Sequence, residues 1–294
     1  MTHAIAADGT RLHVEEAGTG SAILFVHEFA GNHDAWEPQM RYFSRRHRCV
    51  TFAARGYPPS DVPQDPAGYS QAIAVTDILA VLDGLEIDRA HVVGLSMGGF
   101  ATLHLGLTAP QRAHSLTVAG AGYGAEKAFE AEFRATAQEV ARRFETIGAA
   151  AFAETYALAA SRLPFRTKDP RGWQEMAARL ARHSDSGAAH TMRGVQGGRP
   201  SLYDLEAEIA QLQVPTLVVV GDEDDHCLQP GLFLKRTLPA AGLAVLPRTG
   251  HVLNLEEPEL FNHLLREFIA AVETGHWPPR DRSAAGAQIM RTDD

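Results

Sequence analysis

A serine stands between two glycines where the chain changes from an apolar run to a helical pattern. Residues 94–98 read Gly-Leu-Ser-Met-Gly, and the first two of them end the apolar run His91–Leu95. In a G-x-S-x-G pattern of this kind, the serine lies on a sharp turn that lifts its oxygen above the sheet. The amide of Met97 would then lie at a helix N-terminus, where it can stabilise a developing negative charge. The spacing predicts Ser96 as a nucleophile, although a tight turn with a serine helix cap would give the same pattern.

A serine hydroxyl needs a neighbouring base, and the base needs a carboxylate to orient it. His251 follows the apolar run Leu243–Leu246, and a group of acids follows the run Thr216–Val220. Both positions lie at the carboxyl ends of predicted strands, where open α/β sheets form their sites. We therefore predict His251 as the base. The residues by themselves leave four candidates for the acid, Asp222, Glu223, Asp224 and Asp225.

His226 and Cys227 come directly after these acids, which raises the alternative of a metal site. Ligands at consecutive positions cannot all face one ion, which argues against zinc. The chemistry expected of Ser96 requires neither a metal nor a cofactor, and we predict none. The chain has 2 cysteines, Cys49 and Cys227, which are too few and too far apart to indicate a disulfide framework.

Short apolar runs bounded by turn residues alternate with helical patterns along the chain. Such alternation predicts an α/β fold with a mostly parallel, doubly wound sheet covered on both faces. The predicted strands are Ala22–Val26, Cys49–Ala53, His91–Leu95, Ser115–Ala119, Thr216–Val220 and Leu243–Leu246, and the predicted helices are Ser70–Leu85, Met97–Ala109, Gly231–Leu238 and Pro258–Glu273.

Residues 122–212 depart from this alternation, because they contain helical patterns and no convincing strand. We predict that they form a helical cap inserted into an α/β core of residues 1–121 and 213–274, with a long helical crossover as the alternative. Residues 275–294 combine paired prolines, charges and small side chains, which favour a flexible tail.

Together these motifs resemble the α/β-hydrolase superfamily, and more closely its capped esterase and lactonase-like branch. The resemblance covers about Asp8 to Glu273. In that family the acid comes three residues after the glycine that ends its strand, which implies Asp224, with Asp225 as the fallback. The resemblance implies a Ser-His-Asp triad of Ser96, His251 and Asp224.

The same resemblance assigns an oxyanion loop to residues 27–31, His-Glu-Phe-Ala-Gly, where relatives have His-Gly-x-Gly. It implies that the amide of Phe29 pairs with that of Met97 to bind the oxyanion. Glu28 and Ala30 replace the two glycines, so a loop that needed positive φ at those positions would be reshaped. Glu28 could face the substrate or play a structural part, and we name Glu28 and Tyr123 as candidate pocket residues. His27 is expected to brace the loop.

The formal net charge of −9 argues against a nucleic-acid partner. The start of the chain has no basic segment followed by an apolar stretch, and no window approaches the length of a membrane span. We therefore expect a cytoplasmic protein without a membrane partner. A small-molecule substrate is expected, and a homodimer stays open.

The expected reaction is hydrolysis of a small carboxylic ester or a lactone through an acyl-enzyme. One alternative uses the same triad to cleave a carbon–carbon bond in a ring-cleavage dienoate, whose carboxylate could meet a cap arginine. The candidates for that contact are Arg162, Arg166 and Arg193. A second alternative is a non-catalytic ligand receptor on the same fold, because fold and function separate readily.

Overall fold

The computed structural model describes residues 2–281, and an eight-stranded sheet runs through them. Its strands are β1 (Thr2–Ile5), β2 (Arg11–Ala17), β3 (Ala22–Val26), β4 (Arg48–Phe52), β5 (Ala90–Leu95), β6 (Ala113–Ala119), β7 (Thr216–Gly221) and β8 (Ala241–Leu246). Their order across the sheet is β1-β2-β4-β3-β5-β6-β7-β8. The strands from β4 to β8 in this order are parallel, which confirms the predicted mostly parallel α/β fold.

Helices cover both faces of the sheet. On one face, apolar side chains of α2, α3 and α9 pack against the strands, and on the other face those of α1 and α11 do so. The α-helices of the described residues are α1 (Glu37–Phe43), α2 (Gln71–Gly84), α3 (Met97–Thr108), α4 (Glu130–Tyr156), α5 (Leu163–Lys168), α6 (Pro170–Leu180), α7 (Asp185–His190), α8 (Glu206–Ile209), α9 (Asp225–Thr237), α10 (Leu253–Glu256) and α11 (Pro258–Glu273).

The sequence analysis missed the antiparallel hairpin of β1 and β2 at the edge of the sheet. Its turn is built on Asp8 and Gly9, where the Asp8 carboxylate accepts from the amide of Thr10 at 3.0 Å and Gly9 has φ +86°. Such Asp-Gly turns favour hairpins. Charged residues in β2 weaken the apolar alternation that would have indicated a strand.

Residues 120–215, all of them described, contain helices and turns but no strand. Phe144 and Phe152 of α4 are buried in a third apolar cluster, which also contains Phe29 and Tyr57 from the loops after β3 and β4. The helical segment therefore packs on the edge of the sheet where the parallel strands end, as a cap would.

Residues 275–281 run back along the core instead of leaving it. The indole of Trp277 donates to the Ala240 carbonyl at 2.9 Å and contacts the ring of Phe268 edge-on. The rest of the predicted tail, residues 282–294, lies outside the described residues. Within residues 2–281, no helix combines the length and apolar character that crossing a membrane requires.

A buried ion pair connects the loop after β4 with α2. The guanidinium of Arg55 donates two hydrogen bonds of 2.6 Å to Asp77, and the side chains are 6% and 2% exposed. Arg55 also reaches the half-exposed Asp8 at 2.8 Å. Charge-assisted bidentate pairs of this kind fix geometry, so Arg55 has a structural role.

Replacing Asp77 with alanine should cost about 3 kcal/mol in the free energy of unfolding, because the guanidinium would stay buried with one exposed partner. Asp83→Ala on the same helix is the control, since Asp83 is 66% exposed where it pairs with Arg112. Its loss should cost less than about 1 kcal/mol. Urea unfolding measures both, and equal costs would contradict the structural role of the Arg55–Asp77 pair.

Candidate active site

Ser96 lies at a sharp turn between β5 and α3. Its backbone has φ 55° and ψ −114°, a conformation that residues with side chains rarely adopt. A Cβ on Gly98 would overlap the Val26 carbonyl oxygen, and one on Gly94 would overlap that of Gly98. The glycines thus allow α3 to start directly against β3 and β5, and the turn holds Ser96 at the edge of the sheet.

The side chains of Ser96, His251 and Asp224 form one chain of hydrogen bonds. Ser96 Oγ is 2.8 Å from His251 Nε2, and His251 Nδ1 is 2.7 Å from Asp224 Oδ2. Asp224 is 3% exposed and His251 8%. With Nδ1–H donating to the carboxylate, Nε2 has a lone pair for the serine proton, the arrangement of a nucleophile with its base.

The four acids after β7 have different surroundings. Asp222 accepts from the amide of Thr249 at 3.1 Å and so holds the loop that carries His251. Glu223 and Asp225 are exposed, whereas Asp224 is buried against the imidazole. The structure thus brings Asp224, and not the fallback Asp225, to His251.

The electrostatics of the pair favour an ionised Asp224. Burial opposes its charge, but the attraction and hydrogen bond of His251 outweigh burial and lower the pKa of the carboxyl. Burial also opposes the imidazolium form of His251, and here the Asp224 carboxylate raises the pKa above the usual histidine value. The site therefore stabilises the proton that His251 would take from a serine.

The loop after β3 is held by its neighbours without backbone strain. His27 donates from Nδ1 to the Glu28 carbonyl at 2.7 Å and accepts at Nε2 from the amide of Ala54 at 3.0 Å. Burial lowers the pKa of His27 to about 4, so the ring is neutral and braces the loop. Neither Glu28 nor Ala30 has a positive φ, so the loop does not need glycine at these two positions.

Two backbone amides that the family resemblance assigned to an oxyanion, those of Phe29 and Met97, have no hydrogen-bond partner within the described residues. Met97 is the first residue of α3, and the first amides of a helix have no partner inside it. Within the described residues, the amide of Phe29 makes no hydrogen bond, while its carbonyl accepts from the Tyr57 hydroxyl at 3.0 Å. Both amides are available for an oxyanion.

Glu28 is buried against an arginine of the cap, which the sequence analysis did not foresee. Arg162 Nη2 is 2.8 Å from Glu28 Oε2, and each side chain is 3% exposed. The guanidinium also donates to the Tyr156 hydroxyl at 3.1 Å. Burial opposes the charge of Glu28, but Arg162 more than offsets it and lowers the pKa of the carboxyl. The pair is ionised and joins the oxyanion loop to the cap.

A cavity of about 460 Å³ opens beside His251 and Asp224, between the cap and the sheet edge. Tyr123, one of the two candidate pocket residues, lines it. Glu28, the other, is not part of the lining, and its carboxylate is paired with Arg162, which is. Arg143 lines the cavity too; it lies over the Phe152 ring and donates to Thr155, and no pattern in the sequence singled it out.

Arg162→Met should lower the free energy of unfolding by about 3–5 kcal/mol, because it leaves the Glu28 carboxylate buried without a partner. The double variant Arg162→Met/Glu28→Gln should recover most of the loss, since it removes the unpaired charge. Arg193→Met is the control, because Arg193 pairs with Glu145 at the surface. Chemical denaturation of wild type, Arg162→Met, Glu28→Gln, the double variant and the control measures the coupling. Additive losses in the two single variants would contradict an ionised buried pair.

Comparison with known proteins agrees with this architecture. A family model for the alpha/beta hydrolase fold matches residues 21–258. The 3-oxoadipate enol-lactonase 1 of Acinetobacter baylyi is 27% identical over 258 residues, which are 86% of this chain and 90% of that protein. The 2-hydroxy-6-oxo-6-phenylhexa-2,4-dienoate hydrolase of Burkholderia cepacia is 27% identical over 270 residues, 88% of this chain and 91% of that protein.

Among solved structures, a thermophilic esterase from Thermogutta terrifontis superposes with a TM-score of 0.82. It is 24% identical, and the match covers 92% of this chain and 98% of that chain. This likeness concerns the fold. Because the family model spans most of the sequence, the chain belongs to the α/β hydrolase family and is a hydrolase.

Proposed function

We propose that this hydrolase cleaves carboxylic esters, lactones included, through an acyl-enzyme on Ser96. The observation that carries the proposal is the continuous chain from Ser96 Oγ through His251 to Asp224, with both hydrogen bonds below 3 Å. A serine of this kind attacks a carbonyl carbon while the imidazole takes its proton. The enol-lactonase relative, whose substrate is a cyclic ester, supports the same reaction class.

The proposed steps use groups of this chain and water. Ser96 Oγ bonds to the carbonyl carbon as its proton moves to His251 Nε2, and Asp224 stabilises the imidazolium. The amides of Phe29 and Met97 bind the oxyanion, each contributing about 3 kcal/mol to the transition state. His251 then gives the proton to the leaving alcohol oxygen. A water, activated by the same imidazole, releases the acid and restores Ser96.

Carbon–carbon bond cleavage is the second candidate, because the dienoate hydrolase is as similar in sequence as the enol-lactonase. Its substrate has a carboxylate, for which the sequence analysis named three cap arginines. Arg162 is paired with Glu28, Arg193 with Glu145, and Arg166 is exposed over the ring of Trp173. Their engagement elsewhere weakens this candidate, and for that reason we put the ester reaction first.

The test is a panel of neutral esters, lactones, amides and a vinylogous diketone, assayed with wild type and Ser96→Ala. We expect turnover of esters or lactones, and a loss of kcat on the order of 10⁴–10⁶-fold in the variant. Turnover of the diketone alone would favour carbon–carbon cleavage. Labelling of Ser96 by a fluorophosphonate without turnover of any substrate would favour a receptor.

The pH profile tests the assigned base and acid. The base must be neutral, so kcat/KM should fall tenfold per pH unit below an apparent pKa that lies above 6.5, the ordinary histidine value. Asp224→Asn removes the charge that raises this pKa, so the acid limb should move to lower pH, and kcat should fall on the order of 10⁴-fold.

Asp225→Ala is the matched control for this profile, because Asp225 is adjacent in sequence but exposed. It should keep both the acid limb and most of kcat. If Asp225→Ala lost activity while Asp224→Asn kept it, the assignment of the acid would be wrong.

A further inference from the structure

Three side chains with metal-binding atoms converge on the sheet edge, outside the site described above. His13 and Glu15 are two residues apart on β2, so their side chains leave the same face of the strand. His33 opens the short 3₁₀-helix His33–Trp36 that follows the oxyanion loop. One ligand atom of each side chain lies within 4.8 Å of the other two.

The two separations from Glu15 match those between ligands of a tetrahedral metal ion. Glu15 Oε1 is 3.4 Å from His13 Nε2 and 3.4 Å from His33 Nε2. Zinc binds imidazole nitrogen and carboxylate oxygen at about 2.0–2.2 Å, so two ligands of one tetrahedral ion are about 3.3–3.5 Å apart. Hydrogen bonds from imidazole to carboxylate are shorter, at about 2.7–3.2 Å. The carboxylate oxygen is therefore better placed to share an ion with the two rings than to accept their protons.

The imidazole of His13 lacks the partners that a buried polar ring normally has. The residue is 4% exposed, and its Nδ1 makes no hydrogen bond within residues 2–281. Its Nε2 is 3.4 Å from Glu15 Oε1, which is a long hydrogen bond. Buried polar atoms in native proteins are nearly always satisfied. A cation would give Nε2 a closer partner than the carboxylate at 3.4 Å, and Nδ1 would stay without one.

His33 is oriented as a metal ligand would be. Its Nδ1 is 3.0 Å from Asn32 Oδ1, so it donates there and leaves the lone pair of Nε2 facing Glu15. Asn32 is fixed in turn, because its amide donates to the Pro58 carbonyl at 2.8 Å. Metal-binding histidines usually have such a partner on the other ring nitrogen, which sets the tautomer. Glu15 is half exposed, so an ion can enter from solvent.

We propose that His13, Glu15 and His33 bind a divalent transition-metal ion, Zn²⁺ or one of similar preference, with water as the fourth ligand. Two neutral imidazoles and one carboxylate form a common zinc-binding set. The ion would tie β2 to the segment that follows Phe29. It would therefore act as a clamp between the N-terminal hairpin and the oxyanion loop.

The test uses the whole chain, freed of any histidine tag and treated with EDTA, and a chromogenic chelator that competes for Zn²⁺. Wild type should bind one equivalent. His33→Ala removes a ligand, and Glu15→Gln removes the charge while keeping size at a half-exposed position, so folding should survive. Each should weaken binding by more than about 100-fold, beyond the 10–100-fold that an outer-shell partner costs.

The matched control is His251→Ala. Asp224, Cys227 and His251 also have ligand atoms within 4.8 Å of one another, so zinc could bind there instead. If the proposal holds, His251→Ala still binds one equivalent of Zn²⁺, and His33→Ala does not. The reverse pattern, or a wild type that takes up no stoichiometric zinc, would overturn it.

A second measurement tests the clamp. Zinc at about 100 times its Kd should raise the Tm of wild type by about 5 °C and leave that of His33→Ala unchanged. Equal shifts in the two proteins would show that the ion stabilises some other part of the chain.

Discussion

The close approach of α3 to the end of β3 is the constraint on which the candidate active site depends. Gly98 lies against the Val26 carbonyl, and this contact forces the turn at Ser96 into its rare backbone conformation. Strain of this kind costs on the order of 1–3 kcal/mol and persists only where the surrounding structure determines it. Here the buried strands on either side of β5 do so. The same contact puts the first amide of α3 beside the loop that carries Phe29, so one packing event positions both the nucleophile and the amides proposed for the oxyanion.

The ion pair of Glu28 and Arg162 solves an electrostatic problem that this loop creates. A free carboxylate next to Phe29 would repel the oxyanion that we propose forms there, and at low dielectric the repulsion would be large. Arg162 neutralises this carboxylate across the boundary between the cap and the core. The guanidinium of Arg162 also donates to the Tyr156 hydroxyl. Buried pairs often add little net stability, because desolvation offsets their attraction. The main effect of this pair is therefore on geometry. It holds the cap against the oxyanion loop and leaves no unpaired charge in the site.

Local patterns in the sequence predicted the parallel strands, the turn at Ser96 and the loop of His251, because each has a short-range signature. The choice of Asp224 needed a family resemblance, since four consecutive acids look alike until one is buried. α9 begins at Asp225 and not at Gly231 as predicted, because Pro230 is tolerated inside it. The partners of Glu28 and His33 could not be read from the sequence. Glu28 and Arg162 are 134 positions apart, and the His13–Glu15–His33 group depends on a hairpin whose charged strand obscured its pattern.

The position of His251, the proposed base, depends on the cap as well as on the core. The amide of His251 donates to the Ser161 carbonyl at 2.8 Å, and the amide of Gly250 is held by the Glu256 carboxylate at 3.0 Å. Ser161 is next to Arg162, which is fixed on Glu28 in the oxyanion loop. One short cap segment thus contacts both the loop that carries His251 and the loop that carries Phe29. A displacement of that segment would change the distance from His251 to Ser96 and the position of Phe29 together, so the cap sets the geometry of the site in addition to enclosing the cavity.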